Sequence, residues 1–81
     1  MMFDEARLRD ILENELGCDL HRVENDTLLF SSAIVDSFAL VTLLTHIEEE
    51  GAFRVNPSDV VLENFDSINR ILAYVARNQK T

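Results

Sequence analysis

The sequence predicts an all-α fold, a small bundle of three main helices plus one short helix, with a long first loop. Three observations carry this. Apolar residues recur at spacings of three and four in separate segments. Those segments are rich in Leu, Glu, Arg and Ala, which favour helices. Two Gly, one Pro and no Trp leave little material for a turn-rich β protein. The 81 residues have room for one domain, residues 1–81, and at 47% apolar they are too hydrophobic for a disordered tail.

The first segment, Phe3 to Leu16, has Phe3, Leu8, Ile11, Leu12 and Leu16 on one helical face. Asp4 or Glu5 suits its start, and Gly17 can supply a left-handed cap at its end. Residues 18–36 follow no period. Leu20, Val23, Leu28, Leu29, Phe30, Ile34 and Val35 are expected to be partly buried there, in an ordered loop with one helical turn near Leu28. Ordered loops of this length tend to be functional.

Ser37 to Glu50 is the clearest helix, with Leu40, Leu43, Leu44 and Ile47 as its buried stripe. Asp36 or Ser37 can cap it, and Gly51 is expected to end it. Its last residues, Glu48, Glu49 and Glu50, lie where the dipole disfavours negative charge. Local helix stability does not account for them, whereas a partner surface would. Asn56-Pro57 reads as the start of a short helix reaching Leu62. Asp66-Ser67 opens the last helix, which runs to about Asn78 with Ile68, Ile71, Leu72 and Val75 as its stripe. Arg77 and Lys80 near its end suit the dipole.

The formal net charge is −8. From Asp36 to Asp66 seven acids face Arg54 alone, a net −6, whereas residues 67–81 carry +3. An acidic surface repels nucleic acid and anionic membranes, so neither is an expected partner. Basic proteins are, and the middle of the chain is where they would bind. Cys18 is the single cysteine, which suits a reducing compartment. No apolar run reaches membrane-span length, and the charged stretch from Met1 to Asp10 does not read as a signal peptide. A cytoplasmic monomer is expected.

The informative segment is Ile34-Val35-Asp36-Ser37-Phe38-Ala39-Leu40. It puts a serine at the start of an amphipathic helix, directly after the long loop. It resembles the Asp-Ser-Leu attachment site of acyl carrier proteins, with Phe38 in place of the usual Leu. Ile47-Glu48-Glu49-Glu50 resembles the acidic end of that family's second helix, and Val55-Asn56-Pro57-Ser58-Asp59-Val60 the start of its third. Glu63-Asn64-Phe65-Asp66-Ser67-Ile68 looks like the lead-in to the last helix of carriers of the D-alanyl and aminoacyl type. The resemblance covers nearly the whole chain, in order.

The resemblance implies an acyl-carrier-like bundle whose Ser37, within an Asp36-Ser37 motif, receives 4'-phosphopantetheine from coenzyme A. It also implies the partners: a phosphopantetheinyl transferase, a loading ligase or acyltransferase, and a downstream synthase or transferase. The physical reading agrees, because a helix N-terminus offers unpaired N–H groups and partial positive charge to a phosphodiester. Taken alone, the local residues favour reading Ser37 as an ordinary N-cap.

Asp66-Ser67-Ile68 repeats the pattern, but the helix after it carries Arg70 in its first turn, so Ser67 reads as a plain cap. Outward positions near Ser37 are Phe38, Ala39, Val41, Thr42, Thr45 and Glu48. With Glu49 they form the expected partner interface, neutral and apolar in its middle. His46 reads as a surface residue and Cys18 as a small buried one. No second ligand stands at metal spacing to either, so no metal is expected.

No catalytic set has coherent spacing, so an enzyme is not expected. The neutral helix face and the Glu63–Ile68 segment favour an amino acid or unusual acyl cargo in polyketide or nonribosomal-type metabolism. D-alanyl and fatty-acid carriers are the alternatives within the family. An acidic helical interaction module without a prosthetic group is the alternative outside it.

Overall fold

The structure, a computed structural model, describes residues 3–78. Four α-helices and no strand are found among them, so the all-α expectation holds.

Helix α1 spans Glu5–Asp10, and the Asp4 carboxylate caps it by accepting from the Arg7 N–H at 3.0 Å. The helix does not run on as α to Leu16. It widens into a π-helical turn over Ile11–Glu15, closed by the Leu16 N–H on the Ile11 carbonyl. Spacings of three and four do not separate the two geometries. Leu8, Ile11 and Leu12 are fully buried, and Gly17 takes the left-handed conformation expected of it, at φ 69°.

No helical turn forms near Leu28, which is 41% exposed. The tight turn lies just beyond, at residues 30–33, where Ala33 sits at φ 60° and donates to the Phe30 carbonyl. A left-handed alanine is costly and persists only where its surroundings hold it. Here the surroundings are hydrogen bonds within the loop and from one distant part of the chain. Leu29 N–H donates to the Asp66 carbonyl at 2.7 Å, and Ile34 and Val35 N–H both donate to Leu29. The Arg9 guanidinium holds the loop's other half through the Val23 carbonyl and Asn25 Oδ1.

Helix α2 spans Ser37–Gly51. Leu43 and Ile47 are fully buried; Leu40 and Leu44 are half-buried, so the stripe is narrower than its spacing suggests. Gly51 is the last residue of the helix, as expected, but it is not the left-handed cap. Ala52 supplies the left-handed cap at φ 56°, and Gly51 is needed for space: a Cβ there would stand 2.6 Å from the Phe53 ring.

The expected helix from Pro57 to Leu62 is two pieces. Asn56 caps a single 3-10 turn, Pro57–Asp59, and Val60 and Val61 then leave helical geometry before α3, Leu62–Phe65. Two adjacent β-branched residues favour that extended step. Helix α4 spans Ile68–Asn78. Its buried side chains are Ile68, Ile71, Tyr74 and Val75, with Leu72 half-buried. Tyr74 is absent from the expected stripe because its hydroxyl needs a partner when buried. Asp59 provides one, accepting at 2.9 Å, while Phe65 and Phe53 pack against the ring at 5.1 and 6.1 Å. Lys80 lies outside the described residues.

Leu43 is fully buried and Thr42, one residue away, is exposed. Leu43→Ala should cost about 2–5 kcal/mol, a large share of a small domain's stability. Thr42→Ala should change it by less than about 0.5 kcal/mol. Urea unfolding of both variants checks this, and equal losses would contradict the phase of α2.

Candidate functional site

Ser37 is the first residue of α2 and is exposed. Asp36 folds back over the helix start. Its side chain accepts from the Ala39 N–H at 2.8 Å and its carbonyl from the Leu40 N–H at 3.0 Å. The N–H groups of Ser37 and Phe38 come before this cap, and neither they nor the Ser37 hydroxyl finds a partner among the described residues. The site therefore offers a free hydroxyl beside unpaired donors at the positive end of a helix dipole, which fits a phosphodiester.

It offers no base to activate the hydroxyl. His46 lies nine residues further on, about 14 Å along the axis at 1.5 Å per residue, against Glu50 and Glu15. Among the described residues no side chain hydrogen-bonds the Ser37 hydroxyl.

Phe30, Leu40, Val60, Val61, Leu62 and Phe65 line an apolar groove of about 210 Å³. Leu40, three residues after Ser37 on α2, is the helix's contribution to it. It is smaller than the roughly 300–1,000 Å³ of pockets that enclose a ligand.

The expected interface is only partly free. Phe38 is 87% and Val41 64% exposed. Thr42, Thr45 and Glu49 are also exposed. Ala39 is half-buried and packs on the core. Glu48 is half-buried as well, accepting from the Val55 N–H at 2.8 Å and so fixing the chain that leaves α2. Glu50 pairs with Arg7 through two hydrogen bonds of 2.6 Å. Two of the three acids at the helix end thus have partners within the molecule. Sequence spacing could not show this, because Arg7 is 43 residues from Glu50. The Arg7 hydrogen bonds hold the Glu50 carboxyl below its ordinary range, and the Arg7 pKa is raised in turn.

Ser67 differs from Ser37. It is 3% exposed, and its hydroxyl accepts from the Arg70 N–H at 3.1 Å, capping α4. Cys18 is half-buried with its Sγ 3.8 Å from the Ile34 carbonyl, and burial raises its thiol pKa. Among the described residues no group of three or more His, Cys, Asp or Glu could hold a metal ion, and no helix is long and apolar enough to cross a membrane.

Residues 6–75 match the model of the family described as the phosphopantetheine attachment site. The chain belongs to that family of carrier proteins. It is 28% identical to an acyl carrier protein of Aster yellows witches'-broom phytoplasma, over 96% of this chain and 97% of that one. It is 37% identical to a D-alanyl carrier protein of Lactococcus lactis subsp. lactis, over 88% and 90% respectively. It is 48% identical over 52 residues to the lincomycin biosynthesis protein LmbN of Streptomyces lincolnensis, 64% of this chain and 18% of that protein. The carrier is accordingly a non-catalytic holder of covalently bound intermediates, with phosphopantetheine as its prosthetic group. It works with a phosphopantetheinyl transferase and with loading and downstream enzymes.

The sequence reading missed Asp66. Its side chain is 2% exposed and accepts from the Phe30 N–H at 2.8 Å, the Ser31 N–H at 3.0 Å and the Ser31 hydroxyl at 2.5 Å. Its only sequence signal was an acid at a helix start, where acids are common. Burial by itself pushes the carboxyl up, but the Ser31 and Phe30 hydrogen bonds and the nearby Arg70 charge outweigh it, so the pKa is lowered.

Asp66 and Glu50 both titrate lower folded than unfolded. Their contribution is complete above the ordinary carboxylate values of 3.8 and 4.5 and is lost as pH falls through the lowered ones. Unfolding free energy from urea titration should therefore drop below about pH 4. Asp66→Asn should flatten that drop, and an unchanged acid slope in the variant would contradict the assignment.

Proposed function

We propose that Ser37 bears the phosphopantetheine arm and that the arm holds an amino acid or a short, unusual acyl unit as a thioester. The observation that carries the first half is the contrast between the two Asp-Ser pairs. The Ser37 hydroxyl is exposed and unengaged among the described residues, whereas Ser67 is buried and caps its helix. A transferase must reach the oxygen it modifies.

The second half rests on the groove and on one relative. At about 210 Å³ and open, the groove suits a small cargo better than a long chain. The similarity to LmbN, named for lincomycin biosynthesis, favours specialised metabolism of polyketide or nonribosomal type. D-alanyl transfer is the second reading, favoured by 37% identity over 73 residues to the Lactococcus lactis carriers. We place the carrier's work in the cytoplasm, where coenzyme A and acyl-activating ligases operate.

Incubation with coenzyme A and a broad-specificity phosphopantetheinyl transferase should add one phosphopantetheine to the intact mass. Ser37→Ala should abolish the addition and Ser67→Ala should not. The reverse pattern would show that Ser67 is the site. Offering D-alanine and other amino acids with their activating ligases to the modified chain then separates the two cargo readings.

The partner surface is centred on Phe38 and Val41, with Ala39, Thr42 and Thr45 beside them and Asp36 and Glu49 as charged rim. Glu48 contributes chiefly by holding Val55. Rim charges act on association rate and are screened by salt, while apolar anchors act on dissociation. Glu49→Gln should slow loading at low salt and weaken its salt dependence. Phe38→Ala should speed dissociation with little change in salt response. Loading kinetics at two salt concentrations check both, with circular dichroism to confirm folding. No effect of Glu49→Gln at low salt would remove it from the surface.

A further inference from the structure

We infer that Asp66 is the positioning residue for Ser37, although it is 29 residues away in sequence and touches neither serine nor arm. The inference rests on the reading of Ser37 as the attachment residue. The connection is a short series of hydrogen bonds. Asp66 accepts three from Phe30 and Ser31, and its own carbonyl accepts the Leu29 N–H. The Leu29 carbonyl accepts both the Ile34 and the Val35 N–H, at 2.8 and 3.0 Å. Val35 is 2% exposed and leads directly into the Asp36 cap and Ser37. Residues 30–33 make a tight turn containing left-handed Ala33, a conformation the local sequence does not favour. The start of α2 is therefore located by α4's approach segment, through the Asp66 carbonyl on Leu29 and the Asp66 carboxylate that fixes the adjoining Phe30 and Ser31. Phe30, whose N–H Asp66 holds, also lines the groove beside Leu40.

An acid in this place serves the loop better than a neutral residue. Two backbone donors and a hydroxyl converge on one side chain, and a carboxylate alone can accept all three. Without them the turn at 30–33 loses its anchor, while α1, α2 and α4 keep their own packing. A loose loop leaves Ser37 on a folded domain but in many positions, and catalysis by a partner depends on holding the reacting atom still.

The test compares Asp66→Ala, Asp66→Asn, Ser31→Ala and Val75→Ala with the wild-type chain in phosphopantetheine transfer, at a temperature where each is folded. Val75 is 1% exposed in α4 and takes no part in the clasp, so it reports general destabilisation. Asp66→Ala should lower kcat/KM about tenfold. Val75→Ala should stay near wild type. Asp66→Asn, which keeps an acceptor for the two N–H groups, should recover most of the loss, and Ser31→Ala should fall between. Hydrogen exchange should show Ile34 and Val35 amides unprotected in Asp66→Ala while those of Leu43 and Ile47 stay protected. A rate in Asp66→Ala no lower than in Val75→Ala overturns the inference. If Asp66→Ala does not fold, Ser31→Ala decides: slower than Val75→Ala supports it and equal overturns it. A wild-type chain modified elsewhere than Ser37 overturns the attachment reading and the role of Asp66 with it, whereas wild-type rates at Ser37 in Asp66→Ala overturn the role of Asp66 alone.

Discussion

The contact between the Asp66 carboxylate and the backbone of Phe30 and Ser31 is the one on which the rest of this molecule's geometry leans. Residues 18–36 are a long connection with no helix of their own, yet they include buried Val23, Leu29 and Val35. A loop that enters the core brings backbone N–H and C=O groups with it, and each needs a partner. Asp66 and its neighbour Asn64-Phe65 segment sit at the junction of α3 and α4, where a side chain and a carbonyl can meet the loop together. Hydrogen bonds to a charged acceptor contribute about 1.5–3 kcal/mol each, and three of them offset the cost of taking one carboxylate out of water. Losing the acceptor would leave these donors without their partner in the domain.

Helix α2 has two ends with different duties. At its N-terminus Asp36 takes the Ala39 N–H, so the first donors and the Ser37 hydroxyl remain outward. At its C-terminus the unfavourable run of acids is made tolerable by contacts from elsewhere: Arg7 on Glu50 and the Val55 N–H on Glu48. These tie α2 to α1 and to the chain that follows it. Between the two ends, Phe38 and Val41 leave an apolar face uncovered by the domain. Uncovered apolar surface beside the proposed attachment serine fits transient encounters with enzymes, where a permanent interface would trap the cargo.

Much of this was legible in the sequence because it is periodic. The main helices, Leu43 and Ile47 on α2, and Ile68, Ile71 and Val75 on α4 follow from spacing alone. Asp36-Ser37 before an amphipathic run marks the serine proposed here as the attachment residue. What was not legible depends on contacts distant in sequence. Asp66 looked like an ordinary acid at a helix start, and the Glu48–Glu50 run looked free because Arg7 and Val55 cannot be seen from local pattern. Tyr74 was passed over because its burial requires Asp59. The break at Val60-Val61 follows a β-branched preference that the helix start at Pro57 masks, whereas the left-handed Ala33 and Ala52 run against local preference.

The most direct measurement of the central claim is fragmentation mass spectrometry of peptides from the phosphopantetheine-loaded wild-type chain. The account predicts that the arm is found on the peptide spanning the start of α2, with fragment ions assigning it to Ser37 and leaving Ser31 and Ser32 unmodified. An arm assigned to Ser67, or a peptide around Ser37 that stays unmodified while the intact mass increases, would contradict it.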